Sequence, residues 1–190
     1  EEGTRITPDG AVRYDFQVAG GLNGAKDMDK VQIRPKQDSR GDWTQAEIQS
    51  VFGTGRRARV CADAIIVRCG IPTEFPPEVM AQAEEISQMT VTQAEIDGRL
   101  DLRDEPVFTI DSADAKDLDD AISVHKTVDG YTLGVHIADV SHYVKAKSPI
   151  DNEAFRRGTS VYFADRVIPM LPEALSNGVC SLNAGTDKLT

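Results

Sequence analysis

The stretch Asp111-Ser-Ala-Asp-Ala-Lys-Asp-Leu-Asp-Asp-Ala121 places five aspartates in one short segment. Carboxylates packed this closely repel one another and raise one another's pKa unless a positive charge lies among them. A divalent cation supplies that charge most simply, and carboxylate oxygens are the ligands that Mg²⁺ and Ca²⁺ prefer. The stretch therefore predicts a metal site, and the rest of the chain is organised around it.

The flanking residues predict that the aspartates lie between two strands. Residues 107–110 are β-branched or aromatic, which predicts a strand with Asp111 at its carboxyl end. Residues 121–125 resume an apolar pattern, and Asp129-Gly130 is a turn signal before a further strand at residues 131–138. We therefore expect an antiparallel hairpin that carries the acidic stretch at one end.

The spacing of the aspartates predicts which of them converge. Side chains alternate along an extended segment, so Asp117 and Asp119 would share a face and Asp120 would point the other way. Asp111, Asp117 and Asp119 are expected to meet, with Asp120 reaching from the side. The role of Asp114 stays open.

Two rival metal or phosphate motifs fail, and a structural alternative remains. A calcium-binding EF-hand loop counted from Asp117 would need Gly and Glu where Ile122 and Val128 stand. An aspartate-nucleophile phosphatase would need an apolar strand directly before Asp117, and residues 112–116 are not one. The remaining alternative is a solvated turn in which aspartates accept hydrogen bonds from backbone amides.

The acidic stretch and its surroundings resemble a known family. Thr109-Ile-Asp-Ser-Ala-Asp-Ala-Lys-Asp-Leu-Asp-Asp-Ala121 is similar to the signature of the RNB exoribonucleases, which include ribonuclease II and ribonuclease R. Three later blocks resemble the family's next motifs in order: residues 133–144, 157–163 and 168–182. Upstream, residues 22–31 and 71–79 resemble the cold-shock domain and linker of the ribonuclease R branch, which is the closer likeness.

The resemblance implies a metal-dependent enzyme. RNB proteins hydrolyse single-stranded RNA from the 3′ end and release nucleoside 5′-monophosphates, with Mg²⁺ as the expected cofactor and Mn²⁺ as the alternative. The residues it assigns to catalysis and metal binding are Asp111, Asp117, Asp119 and Asp120. It assigns Tyr162 to stacking on the terminal base, a contact that tolerates any sequence. The alternative in another class is a non-catalytic RNA-binding module that keeps the RNB fold.

The predicted fold class is α+β and rich in strands. The expected domains are a partial cold-shock or OB-type barrel at residues 1–53, a linker with short helices at 54–101, and the N-terminal part of an RNB catalytic domain at 102–190. Strands around residues 14–18, 31–33 and 43–52, joined by glycine turns, support the barrel. Tyr14 and Phe16 are candidates for base stacking, and the alternation of the strand favours a core position for Phe16.

Several helix ends are predicted by local signals. Phe75-Pro-Pro-Glu begins a helix with proline in its first turn. Thr92 and Glu95 have the spacing of a capping box, and Gly98 can end that short helix. Ser148-Pro149 predicts a helix start, with Gly158 just past its end, and Pro172 predicts a further helical turn.

The resemblance also predicts an incomplete domain. Family members continue, after the block that ends near Leu189, to a motif whose arginine binds the phosphate and then to another RNA-binding barrel. This chain stops at Thr190. We therefore expect a fragment that is inactive alone, with a barrel that lacks its first strand.

Composition sets the remaining expectations. The net charge of -10 is unusual for a nucleic-acid binder, because phosphate contacts supply most of such a protein's affinity. It argues against tight RNA binding by these residues alone. Three cysteines without a C-x-x-C pair suit reduced thiols, and no apolar run is long enough to span a membrane. We expect a cytoplasmic protein without a membrane partner, monomeric by default.

Overall fold

The computed structural model describes residues 4–10 and 12–190. The chain divides into two compact units, residues 1–71 and residues 72–190, each with helices and strands. The arrangement is mixed and rich in sheet, as the sequence predicts. No helix in the described part of the chain has both the length and the apolar character needed to cross a membrane.

The first unit contains a four-stranded sheet. Its strands are β1 (Arg5–Ile6), β2 (Phe16–Val18), β3 (Asp29–Lys36) and β4 (Gln45–Thr54). Their order in the sheet is β1-β2-β4-β3, so β1 and β3 are its edges. The pair β2–β4 is parallel, and the other two pairs are antiparallel. The sheet therefore mixes both kinds of pairing.

One helix covers part of this sheet. Helix α1 (Ala58–Cys69) packs against β3 and β4 and ends at Gly70, which takes the left-handed conformation at φ 63°. The core between them is apolar and consists of Phe16, Ala46, Ile48, Ala62 and Ile66. The predicted core position of Phe16 is confirmed, since only 5% of it is exposed.

Helix α1 lies in the segment that the sequence suggested was a linker. It contacts the sheet of the first unit, and the two compact units meet between Ile71 and Pro72. Its sequence offers weak signals, because Arg57 at the N-cap provides no side-chain hydrogen bond and apolar residues occur on every face. The domain limits at 53 and 101 stay a prediction.

The second unit has short helices and two small two-stranded sheets. Its elements are α2 (Pro77–Ser87), α3 (Gln93–Asp97), β5 (Asp120–Lys126), β6 (Tyr131–Ile137), α4 (Val140–Tyr143), α5 (Pro149–Arg157), β7 (Val161–Tyr162), β8 (Val167–Ile168) and a π-helical turn (Leu175–Val179). β5 pairs with β6 and β7 pairs with β8, both antiparallel.

The predicted helix ends of this unit are confirmed. The Ser148 hydroxyl accepts a hydrogen bond from the Asp151 amide at the start of α5, and Gly158 ends the helix at φ 76°. Thr92 and Glu95 form the reciprocal capping box of α3. These signals act within one turn of helix, which is why sequence alone suffices for them.

The core of the second unit lies between α2, α5 and the segment around the π-helical turn. It is built from Val79, Ala83, Ile86, Tyr143, Ile150, Leu171, Leu175, Cys180 and Leu189. The first three lie on the stripe of α2 that the spacing of its apolar residues predicts. Met80, which the same prediction placed on this stripe, is 48% exposed, so the prediction is wrong for that residue. Burial of this stripe holds α2 against the rest of the unit.

The β5–β6 hairpin has a buried face and an exposed apolar face. The register runs from Asp120 opposite Ile137 to Lys126 opposite Tyr131. Residues directly opposite one another share a face of the sheet. The exposed face carries three apolar side chains that are each more than half exposed, Leu133, Val135 and Ile137. The opposite face carries the buried Ala121 and Ser123.

The prediction of a strand over residues 107–110 is wrong about its length. The structure has a single bridge there, in which Phe108 and Ile122 exchange two backbone hydrogen bonds of 3.0 and 2.9 Å. Pro106 lacks an N–H group and cannot extend the ladder backwards. Beyond the bridge, Ile110 is 78% exposed, which shows that the chain has left the sheet.

Candidate functional site

The acidic loop (residues 111–120) joins the Phe108 bridge to strand β5. Asp120 is the first residue of β5, paired with Ile137. The carbonyl oxygen of Asp119 accepts a hydrogen bond of 2.9 Å from the Ala138 amide, directly beyond the end of β6. The hairpin therefore fixes the C-terminal end of the loop, and the predicted position of these aspartates at a strand start is confirmed.

Asp119 is the aspartate of the loop whose pKa its surroundings shift. Partial desolvation raises the pKa of Asp119, and the negative charges of Asp117, Asp120 and Asp111 raise it further, in that order. Asp119 is nevertheless exposed. Asp114 is not among the aspartates that raise its pKa. The assignment of the other four aspartates to a site stays a prediction, and the role of Asp114 stays open.

Tyr162 lies beside the acidic loop. Its hydroxyl donates a hydrogen bond of 3.1 Å to Oδ2 of Asp117, across 45 residues of sequence. This bond is the largest cause of a raised pKa at Tyr162. The side chain is 65% exposed, so its ring is open to a ligand. The structure therefore brings together an exposed aromatic ring and the carboxylates, both chosen from the sequence.

Among the described residues, ion pairs with lysine or arginine do not neutralise the aspartates of the acidic loop. Within residues 4–10 and 12–190, no lysine or arginine forms an ion pair with Asp111, Asp117, Asp119 or Asp120. The repulsion that raises the pKa of Asp119 is therefore unrelieved. The structural alternative of a solvated turn does not account for this, since an ordinary turn gains nothing from so many unpaired charges.

The donor set fits Mg²⁺ by its chemistry, without forming a ready cage. Mg²⁺ takes oxygen ligands, keeps several waters and uses one or two protein carboxylates together with substrate phosphate. Over the described ranges, no three His, Cys, Asp or Glu side chains are close enough to hold a metal ion as they stand. The aspartates could therefore supply only part of a coordination sphere, with water and phosphate completing it.

Other titratable side chains of this unit have structural partners. His142 pairs with Glu95 at 2.6 Å, and His136 shares a hydrogen bond of 3.0 Å with Ser123. Burial raises the pKa of the Cys180 thiol to about 11, which makes it a poor nucleophile. These side chains are therefore core or capping groups.

Sequence reasoning missed one group that contacts the loop. Ser181 is fully buried, and its hydroxyl bonds to the backbone of the loop on both sides of Asp117. It lies within a block that resembles the RNB family, but no local signal links it to residues 65 positions away. A contact of this kind is visible only in the structure.

Comparison with known proteins identifies the family. The model of the RNB domain matches residues 99–190, which contain the acidic loop, the hairpin and Tyr162. These residues belong to the RNB family.

Its relatives among characterised sequences are ribonucleases R. The chain is 48% identical over 190 residues to ribonuclease R of Thermotoga maritima, a match that covers 97% of this chain and 27% of the relative. It is 58% identical over 147 residues to ribonuclease R 1 of Lactococcus lactis, covering 77% of this chain and 18% of the relative. The chain thus spans between a sixth and a third of the length of these relatives.

Solved structures show the same similarity. RNase R of Mycoplasma genitalium in complex with double-stranded RNA superposes with a TM-score of 0.71 at 31% identity, over 88% of this chain and 31% of that one. The same protein in complex with ribose-methylated single-stranded RNA gives a TM-score of 0.71 at 33% identity, over 88% and 27%. Both are RNA complexes of an RNB-family protein.

Proposed function

We propose that this chain carries the acidic loop of a metal-dependent exoribonuclease, which hydrolyses single-stranded RNA from the 3′ end to nucleoside 5′-monophosphates. The observation that carries the proposal is the contact between Tyr162 and Asp117. The hydroxyl of an exposed tyrosine donates a hydrogen bond to one aspartate of the acidic loop, which supports a site that uses both side chains. Membership of the RNB family and the RNA complexes of its relative support the substrate class.

The side chains divide the work between binding and chemistry. The ring of Tyr162 offers a face on which the terminal base can stack, irrespective of sequence. Asp111, Asp117, Asp119 and Asp120 would hold Mg²⁺, or Mn²⁺ in its place, through their oxygens. When bound, the cation would supply Lewis-acid chemistry to a phosphoryl oxygen and to the attacking water. The hydrogen bond between Tyr162 and Asp117 orients the ring and the carboxylate together.

We propose that the first unit is part of an OB-type barrel and that it binds RNA; the strand order β1-β2-β4-β3 supports this. β1 and β3 are the open edges of the sheet, and one strand between them would close a five-stranded barrel. A cleft of about 970 Å³ lies along those edges, lined by side chains that include Ile6 and Ile33. Tyr14 is 55% exposed and could stack on a base, as the sequence suggests.

Residues 1–190 alone are expected to turn over RNA poorly. Phosphoryl transfer needs positive groups at the developing charge, and no cationic side chain of the described residues pairs with the acidic loop. The free thiols Cys61, Cys69 and Cys180 agree with a cytoplasmic location. The monomeric state stays a prediction.

The decisive experiment is Asp119→Asn in the full-length protein, assayed on single-stranded RNA. The amide keeps the shape of the side chain but loses the charge that binds metal, so release of mononucleotides should fall by at least 100-fold. RNA affinity, measured by fluorescence anisotropy in EDTA, should be unchanged, because no phosphate contact is removed.

Asp114→Asn is the matched control, because Asp114 lies in the same loop but is not among the aspartates that raise the pKa of Asp119. It should retain cleavage within a factor of about two. Wild-type turnover by Asp119→Asn would show that the loop is structural, and equal losses in both variants would show a general effect of charge. RNA binding without cleavage by the wild-type protein would favour the non-catalytic module.

A further inference from the structure

One buried hydroxyl bonds to the acidic loop on both sides of Asp117. The Ser181 side chain is 0% exposed. Its Oγ donates to the carbonyl oxygen of Lys116 at 2.9 Å and accepts from the amide of Leu118 at 3.0 Å. The single proton of the hydroxyl and one of its lone pairs are thus both used on the backbone that carries Asp117.

The backbone next to Ser181 adds a third bond to the same segment. The amide of Leu182 donates to the carbonyl oxygen of Leu118 at 2.9 Å. Residues 116–118 are therefore held at three points by Ser181 and Leu182. Asp117 lies between the two backbone groups that the Ser181 hydroxyl engages, so the direction of its side chain depends on them.

Ser181 is itself held rigidly. Its amide donates to the carbonyl oxygen of Gly178 at 3.1 Å, at the end of the π-helical turn. The residue before it, Cys180, is buried in the core of this unit, and Leu175 of the same turn is fully buried. A longer contact of 3.4 Å joins Oγ to Oδ1 of Asn183. Packing and hydrogen bonds outside the acidic loop therefore fix the position of the Ser181 hydroxyl.

We propose that Ser181 is a positioning residue: its buried hydroxyl sets the conformation of residues 116–118 and thereby aims the Asp117 carboxylate at Tyr162 and the neighbouring aspartates. Repulsion among the four aspartates favours spreading of the loop. The hydroxyl opposes it, since breaking both bonds would leave a carbonyl and an amide without partners in a half-buried position. The consequence for catalysis rests on the function proposed above, whereas the positioning itself does not.

The positioning is tested by amide hydrogen exchange on the 190-residue chain, followed residue by residue by NMR. In the wild type the Leu118 amide should be protected at least 10-fold relative to an unstructured peptide, and an unprotected Leu118 amide would overturn the proposal without any variant. In Ser181→Ala that protection should fall at least 10-fold. Amides of β5 and α5 should keep theirs, which shows that the unit is still folded.

Ser123→Ala is the matched control, because Ser123 is also buried but bonds to His136. It should leave the Leu118 amide protected. Ser181→Cys provides a conservative substitution of similar size, and its weak S–H donor should give intermediate protection. If Ser181→Ala unfolds, Ser181→Cys decides the point. Unchanged protection at Leu118 in every folded Ser181 variant would refute the positioning role.

The catalytic consequence is measured in the full-length protein on single-stranded RNA. Ser181→Ala should lower kcat at least 10-fold with little change in KM, and should raise the Mg²⁺ concentration for half-maximal rate, with partial rescue by Mn²⁺. Ser123→Ala should match the wild type. A normal kcat and Mg²⁺ requirement in Ser181→Ala would refute this consequence. A wild-type protein without nuclease activity would instead refute the proposed function, and the exchange data would still decide the positioning.

Discussion

Two regions of the second unit each contain several charged side chains, but only one of them pairs its carboxylate with arginines. In the arginine cluster of α5, Glu153 lies 6% exposed and accepts hydrogen bonds from Arg156 and Arg157. In the acidic loop, Asp119 is partly desolvated and carries the repulsion of Asp117, Asp120 and Asp111. The first arrangement lowers the pKa of its carboxylate, and the second raises the pKa of Asp119.

In the arginine cluster, nearly every N–H donor of the Arg157 guanidinium has a hydrogen-bond acceptor. The Arg157 side chain is 2% exposed, and Nε lies 2.9 Å from Glu153. Its guanidinium also donates to the carbonyl oxygens of Pro72, Glu74 and Pro169, and it lies 3.7 Å above the ring of Phe75. Such a group ties residues 72–75 to α5 and stabilises the unit.

The difference shows how a folded chain separates stability from reactivity. In the arginine cluster, both arginines pair with the Glu153 carboxylate, so that carboxylate needs no further cation. Unmatched charges in the acidic loop cost stability, and binding of the cation proposed above would offset that cost. The two regions can therefore be distinguished by how each responds to the loss of one charge.

The largest expected effect is on the arginine cluster. Arg157→Ala should lower the free energy of unfolding of the second unit by about 3–5 kcal/mol, because it removes a buried guanidinium group and leaves three backbone carbonyl oxygens without their donor. Urea denaturation followed by circular dichroism measures the change. Arg156→Ala is the control, because it removes the more exposed arginine on the same carboxylate and leaves Glu153 paired with Arg157. It should lower the midpoint less than Arg157→Ala does, and equal losses in the two variants would contradict the distinct role of Arg157.

The second expected effect is a loss of stability in acid. The pKa of Glu153 is lowered from its ordinary value near 4.5 by hydrogen bonds from Arg156 and Arg157. A carboxyl group with a lowered folded-state pKa stabilises the fold above its unfolded pKa, and that stability is lost as the pH falls through the folded pKa. The urea midpoint should therefore drop as the pH falls below about 4.5.

Glu153→Gln separates this effect from the titration of other carboxyl groups. The variant should be less stable than the wild type at pH 7, and the gap between them should narrow as the pH falls below about 4.5. Parallel stability curves for the two proteins at all pH values would show that Glu153 does not contribute to the acid transition.

The smallest expected effect has the opposite sign. Asp119→Asn should raise the metal-free stability of the chain by no more than about 1 kcal/mol, because it removes one of four repelling charges in a loop that solvent screens. Thermal unfolding in EDTA measures it. Mg²⁺ or Mn²⁺ should then stabilise the wild type more than the variant. Destabilisation by Asp119→Asn without metal would contradict the picture of unrelieved repulsion.

The sequence predicts best where the signal is local. The caps at Thr92, Ser148 and Gly158 lie within a turn of the helix they end, and the alternation of Phe16 with polar neighbours identifies its core position. These features can be predicted from neighbouring residues, without knowledge of contacts with distant parts of the chain. The convergence of Asp111, Asp117 and Asp119 that their spacing predicts stays a prediction, since among the described residues no three acidic side chains lie close enough to hold a metal ion.

The contacts that were missed join distant residues. The bond from Ser181 to the acidic loop spans 65 residues, and that from Arg157 to the Pro72 carbonyl spans 85. The single bridge between Phe108 and Ile122 also depends on the path of the acidic loop between them. Nothing in the neighbouring sequence distinguishes such a serine or arginine from an exposed one, because the deciding partner is a backbone group elsewhere.

The register of the β5–β6 hairpin limits the positions at which residues can be inserted or deleted. Its last rung joins Asp120 to Ile137 beside the acidic loop, whereas its turn at residues 127–130 lies at the far end. An extra residue in that turn leaves the last rung in place. A residue gained or lost within either strand flips the side chains beyond it to the other face. Insertions should therefore accumulate at the hairpin tip, while strand length is held constant.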